Sequence, residues 1–144
     1  MLGDALEWGS LRLAVNTCIG CAGQDLTEVT ITLPPTRVFK GIAARVADVD
    51  GGGRAEVLVV ETDLSLGASL AIHSPDGRIT ATRFIGQPNR WLAPAGIADF
   101  DGTGQVEIAC VDRPHLPKEL VLVRLEGALL VETLRLPGLL IPAC

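Results

Sequence analysis

Six carboxylates set in two glycine-rich loops carry most of the chemistry open to this chain. Asp48, Asp50 and Glu56 stand in Asp48-Val-Asp-Gly-Gly-Gly-Arg-Ala-Glu-Val57, and Asp99, Asp101 and Glu107 stand in Asp99-Phe-Asp-Gly-Thr-Gly-Gln-Val-Glu-Ile108. Both stretches read D-x-D-G-x-G-x-x-E and run into an apolar residue, and the second begins 51 residues after the first. Alternate carboxylates on a curling backbone point at a common centre. Ca2+ takes about six to eight oxygens at adaptable geometry, so such a loop suits it. Without a cation, carboxylates crowded this closely repel and raise one another's pKa.

Counting each loop from its first Asp, side chains at positions 1, 3, 5 and 9 and the carbonyl at position 7 face inward, with glycine at position 6 for the bend. The second loop then offers Asp99, Asp101, Thr103, the Gln105 carbonyl and Glu107, bending at Gly104. The first offers Asp48, Asp50, Gly52, the Arg54 carbonyl and Glu56, bending at Gly53. Gly52 brings no side-chain oxygen and Arg54 brings a positive charge, so the second loop is expected to bind more tightly. An EF-hand needs a carboxylate at position 12 between two helices. Val59 and Cys110 occupy that position, and β-rich sequence follows both loops.

The remaining reactive side chains form no recognisable constellation. His73 and His115 are the two histidines, and no nucleophile with a base and an orienting third group can be assembled from the spacing. Cys18-Ile-Gly-Cys21 lacks the second ligand pair a zinc site requires. Flanking glycines also disfavour a redox motif that opens a helix, which leaves a small disulfide or inert loop thiols. Cys110 lies in an apolar run and reads as a buried free thiol. Trp91, after Asn89-Arg90, reads as a ring covering the gap between repeat units, with a ligand contact as the other reading.

The elements that must hold the loops are strands. Residues 28–33 alternate Val29, Ile31 and Leu33 with threonines, and Pro34-Pro35 ends the run. Before the first loop, residues 41–47 form a short strand. After it, Glu56-Val-Leu-Val-Val60 is apolar enough for burial on both faces. Residues 69–73 and 78–84 flank the turn Ser74-Pro-Asp-Gly77. The order then repeats: residues 95–98, the second loop, Glu107 to Val111, residues 119–125, a turn at Glu126-Gly127, and residues 128–136. Loop start to turn glycine spans 29 residues in one unit and 28 in the other. Four strands per unit at a period near 50 is the pattern of a propeller-type blade.

The fold class is therefore all-β: two four-stranded blades, residues 36–86 and 87–136, a partial N-terminal blade or cap over 1–35, and a tail over 137–144. Propellers usually close with about four or more blades. The chain is accordingly expected to be a fragment, an open stack, or a subunit that completes the stack by self-association.

Composition narrows the partners. The 144 residues carry a formal charge of −5, with 12 Lys and Arg that do not cluster, which excludes a nucleic-acid interface. No apolar stretch has the length of a membrane span, and Met1-Leu-Gly-Asp4 does not open as a signal peptide.

On the residues Asp48–Glu56 and Asp99–Glu107, repeated within residues 41–136, the sequence resembles the FG-GAP / VCBS-type repeat family, the blades of integrin-α-like β-propellers. The resemblance implies calcium in the hairpin between the first two strands of each blade. It also implies a secreted, periplasmic or cell-surface setting and a binding role toward a protein or glycan ligand. The functional expectation is a non-catalytic calcium-binding module that stabilises a binding or scaffold surface. The alternative is a fragment of a propeller-bearing secreted enzyme, a hydrolase or lyase.

Overall fold

The computed structural model describes residues 7–18, 20–23, 25–115 and 118–138. Among these the regular structure is entirely β. The strands are β1 (Ser10–Asn16), β2 (Leu26–Thr32), β3 (Arg37–Ala47), β4 (Glu56–Asp63), β5 (Gly67–Ser74), β6 (Gly77–Ala81), β7 (Leu92–Ala98), β8 (Glu107–Asp112), β9 (Glu119–Glu126) and β10 (Leu129–Leu136). All pairings are antiparallel. They form two four-stranded meanders, β3-β4-β5-β6 and β7-β8-β9-β10, and a separate hairpin, β1-β2.

Burial follows from stacking. Leu58, Leu70 and Ile72 of the first sheet share one apolar cluster with Ile108, Cys110, Val121 and Val123 of the second. The opposite face of the first sheet carries Phe39, Val57, Val59 and Ala71, which pack with Leu11, Leu13 and Ile31 of the hairpin. A sheet covered on both sides needs apolar residues at consecutive positions. Accordingly every residue of β4 except Thr62 is buried.

The hairpin has the opposite character. Leu11, Leu13 and Val15 of β1 are half-buried, while Ser10, Arg12, Ala14 and Asn16 alternate with them in solvent. A polar outer face ends a stack instead of extending it. The expected partial blade is, within the described residues, a two-stranded cap. Cys18 and Cys21 close its connecting loop as a disulfide, with Cα atoms 5.7 Å apart. The tail beyond Gly138, including Cys144, and the residues before Glu7 lie outside the described residues.

Several strand boundaries differ from those expected. β3 begins at Arg37, four residues before its expected start, and its register slips between Lys40 and Arg45, where Gly41 adopts a φ of 120°. β7 begins at Leu92 and contains Pro94. Proline is tolerated there because β7 is an edge strand with one ladder to serve. β6 stops at Ala81, three residues short. The Thr82 hydroxyl accepts the Leu70 amide at 3.0 Å, and its carbonyl accepts the Ser69 hydroxyl at 2.7 Å, so Thr82 anchors β5 from beyond the ladder.

The segment linking the two sheets is stitched to the start of β5. Ala68 N–H donates to the Arg90 carbonyl and Ile85 N–H to that of Ala68. Gly67 permits this approach: its φ is 79°, and a Cβ there would run into the Gln87 carbonyl oxygen. Arg45 of β3 also reaches across to the Pro94 carbonyl at 3.0 Å. These ties fix the two acidic loops relative to one another, because each loop joins the first two strands of its own sheet.

Candidate metal centre

The first loop runs from β3 to β4. Asp48 and Asp50 sit on its turn, and Glu56 is the first residue of β4. The register Ala47↔Glu56 closes the loop and holds Glu56 beneath the two aspartates. One oxygen from each of Asp48, Asp50 and Glu56 lies within 4.8 Å of the others. Glu56 is 6% exposed, and its Oε2 accepts the Val49 amide at 2.9 Å. That bond fixes the carboxylate and draws the backbone after Asp48 inward.

The aspartates shape the turn. Asp48 Oδ2 accepts Gly53 N–H at 2.9 Å, and Asp50 Oδ1 accepts Gly52 N–H at 2.6 Å. A Cβ at Gly52 would stand 2.7 Å from Asp50 Oδ1, so the missing side chain gives that carboxylate its place. Asp48 Oδ1 is left buried without a hydrogen bond. Burying an acceptor unpaired costs about 1–3 kcal/mol, and more when it is charged. Hard carboxylate oxygens with one acceptor unmet could hold a metal ion.

The second loop joins β7 to β8 in the same way, with the register Ala98↔Glu107. Its aspartates are more fully engaged. Asp99 Oδ1 accepts Gly102 and Thr103 N–H, and its Oδ2 accepts Gly104 N–H, at 2.8 to 3.1 Å. Asp101 Oδ1 accepts both the amide and the hydroxyl of Thr103, at 3.0 and 2.6 Å. Asp101 Oδ2 faces Arg124 Nη1 at 3.3 Å. Hydrogen bonds from the hydroxyl and amide of Thr103 first, and then the charge of Arg124, hold the Asp101 carboxyl below its usual pKa.

Glu107 is 1% exposed. Its Oε1 accepts the Thr133 hydroxyl at 2.6 Å, while its Oε2 is buried without a hydrogen bond. No family model, characterised protein or solved structure matches the chain. The site is therefore read from its own residues.

The oxygen count of the sequence favours the second loop, with Asp99, Asp101, Thr103, Gln105 and Glu107. Among the described residues the convergence of three carboxylates is found in the first, at Asp48, Asp50 and Glu56. One difference between the loops lies at position 5. Thr103 supplies a hydroxyl that Asp101 takes for itself, whereas Gly52 supplies none. Arg54, whose charge was expected to weaken the first loop, is exposed, and no ion pair from it is found among the described residues.

The other candidates fall into the framework. His73 is 1% exposed and Glu61 fully buried, and His73 Nε2–H donates to Glu61 Oε1 at 2.9 Å. Arg78 approaches the same carboxylate at 3.6 Å, and the ring of Phe39 meets His73 edge-on. This buried hydrogen-bonded pair lies on the face the hairpin covers. Sequence reading missed it because Glu61 and His73 are remote in the chain, and only the pairing of β4 with β5 brings them together. His115 lies against Trp91 with centroids 5.2 Å apart, and Trp91 lines the cleft between the two sheets with Leu58, Val60 and Pro94. Cys110 is a buried free thiol, whose pKa burial pushes up to about 12, so it is a poor nucleophile.

Proposed function

We propose that the chain is a non-catalytic, calcium-stabilised β module of the FG-GAP / VCBS type, whose stacked sheets form a scaffold for a protein or glycan partner. The observation that carries this reading is the convergence of Asp48, Asp50 and Glu56, with Asp48 Oδ1 buried and unpaired. The paired meanders, each with its acidic loop between the first two strands, agree with the blade pattern on which the resemblance rests. In this role Asp48, Asp50 and Glu56 hold the ion. The ion neutralises their charge and locks the β3–β4 turn, which in turn fixes the edge of the sheet where a partner would dock. A secreted, periplasmic or cell-surface setting suits such a module, because millimolar calcium saturates sites of modest affinity.

The test is thermal unfolding in calcium and in chelator. A ligand held only by the folded state, at about a hundred times its Kd, stabilises by roughly 2.7 kcal/mol. For a domain of this size that is a rise on the order of 10 °C in Tm. Asp48→Asn is expected to abolish most of the rise. Identical melting curves with calcium and with chelator would refute the reading.

A further inference from the structure

We propose that the Arg124 guanidinium is a built-in cation for the second loop, and that it is the residue that keeps this loop from taking a metal ion. The inference rests on reading the acidic loops as cation sites and extends that reading to which of them needs a diffusible ion.

Strand pairing puts Arg124 in place. It is the cross-strand partner of Glu107, so the β8–β9 ladder carries its side chain to the mouth of the loop. Its Nη1 lies 3.3 Å from Asp101 Oδ2, and its Nη2 is braced by Glu126 Oε1 at 3.3 Å. The side chain is 18% exposed. A guanidinium keeps its charge at any accessible pH, and one tethered beside its carboxylate acts at high effective concentration.

Among the described residues, the first sheet has no such residue. His73 pairs with Val57, so the β5 residue facing Glu56 is the next one, Ser74. Its hydroxyl is committed to its own turn, accepting Asp76 N–H at 3.2 Å and lying 3.5 Å from the Gly77 carbonyl. The two loops share their carboxylates and differ in the cation opposite them. Where Arg124 stands, Asp99 and Asp101 are satisfied by the chain. Where Ser74 stands, Asp48 Oδ1 is buried unpaired. Glu107 Oε2, also buried without a hydrogen bond, is the acceptor the second loop would contribute to an ion if the guanidinium were gone.

Removing Arg124 is therefore expected to create a calcium site at Asp99, Asp101 and Glu107. Calcium stoichiometry by titration calorimetry, with Tm in calcium and in chelator, is measured on the full chain, Arg124→Ser, Arg124→Met and Arg124→Lys. One ion per chain is expected for the wild type and the Lys variant, and two for the Ser and Met variants. Placing Arg124→Ser in an Asp48→Asn, Glu56→Gln background isolates the second loop. In that background a calcium-dependent Tm is expected once Arg124→Ser is added and not while Arg124 is retained.

Two ions in the wild type, or no gain in the Ser and Met variants, would overturn the proposal. A gain in the Lys variant equal to that in the Ser variant would overturn it too, because the charge would then not matter. If the wild type binds no calcium while Arg124→Ser binds one ion, the reading of the first loop fails and this inference stands. If Arg124→Ser folds only in calcium, its refolding midpoint in calcium supplies the same readout.

Discussion

In the loop between β3 and β4, Asp48 receives one backbone amide and keeps a buried oxygen with no hydrogen bond. In the loop between β7 and β8, Asp99 receives three amides. The first loop brings its carboxylates together with no side-chain cation opposite them. The second divides the acceptors of its two aspartates among amides, a threonine hydroxyl and a guanidinium, and leaves Oε2 of Glu107 unpaired. Two copies of one pattern have thus reached different electrostatic solutions through two substitutions, Gly52 for Thr103 and Ser74 for Arg124. Carboxylate spacing alone identifies a loop able to collect charge. What neutralises that charge is decided by residues the pattern leaves open, one of them on the neighbouring strand β9.

The largest effect is expected at Glu107. This buried carboxylate accepts the Thr133 hydroxyl, whereas its counterpart Glu56 accepts a backbone amide that no side-chain substitution removes. Thr133→Val takes away a hydrogen bond to a buried charge, which is worth about 1.5–3 kcal/mol. A loss of about 3 kcal/mol, read as a lower urea midpoint with the slope unchanged, is expected. No substitution outside the first loop should damage Glu56 in the same way. A Thr133→Val protein as stable as the wild type would show that the second loop is not held from β10.

The next comparison sets the two leading aspartates against each other. In chelator, Asp99→Ala leaves three amides without their acceptor and is expected to cost about 2 kcal/mol. Asp48→Ala loses one such bond and relieves an unpaired buried oxygen, so its cost in chelator is expected to stay below about 1 kcal/mol. In calcium the order inverts: Asp48→Ala forfeits the metal-dependent rise in Tm and Asp99→Ala keeps it. Four melting curves decide the matter. If Asp99→Ala instead abolished the rise, the second loop would be the tighter site, as the oxygen count in the sequence ranks it, and the tethered-arginine account would fall.

Much of this framework was legible before any coordinates. Apolar residues at consecutive positions after each loop announced strands buried on both faces. The loop-to-turn spacing announced two equivalent sheets, and Ser74-Pro-Asp-Gly77 announced the β5–β6 hairpin. Period-two alternation in residues 28–33 marks β2 and leaves its role open between partial blade and cap, and the polar outer face of β1 is what makes it a cap. What stayed hidden depends on cross-strand register. Arg124 lies 17 positions after Glu107 and pairs with it because the β8–β9 turn sets that register. Glu61 and His73 likewise meet through the β4–β5 register and not through any local spacing. The slip in β3 at Gly41 and the early end of β6 at Thr82 were illegible for a related reason. Both arise where the chain satisfies hydrogen bonds outside the regular ladder.

The smallest expected effect tests the threonine half of the difference between the loops. The Asp101 carboxyl is held below its usual pKa, chiefly by the Thr103 hydroxyl and amide and to a lesser degree by the charge of Arg124. A carboxyl whose folded pKa is depressed contributes stability that is fully present above its unfolded pKa, about 4. That contribution is lost as pH falls through the lower, folded value. Wild-type stability in chelator should therefore decline below about pH 4 more steeply than that of Asp101→Asn. Thr103→Val keeps the amide and removes the hydroxyl, so it should take away more of that steepness than Arg124→Lys, because the hydroxyl is the larger cause. Gly52 offers no hydroxyl at the matching position of the first loop. Superimposable acid profiles for wild type and Thr103→Val would mean that the hydroxyl does not set the charge balance of the second loop. The contrast between the loops would then rest on Arg124 alone.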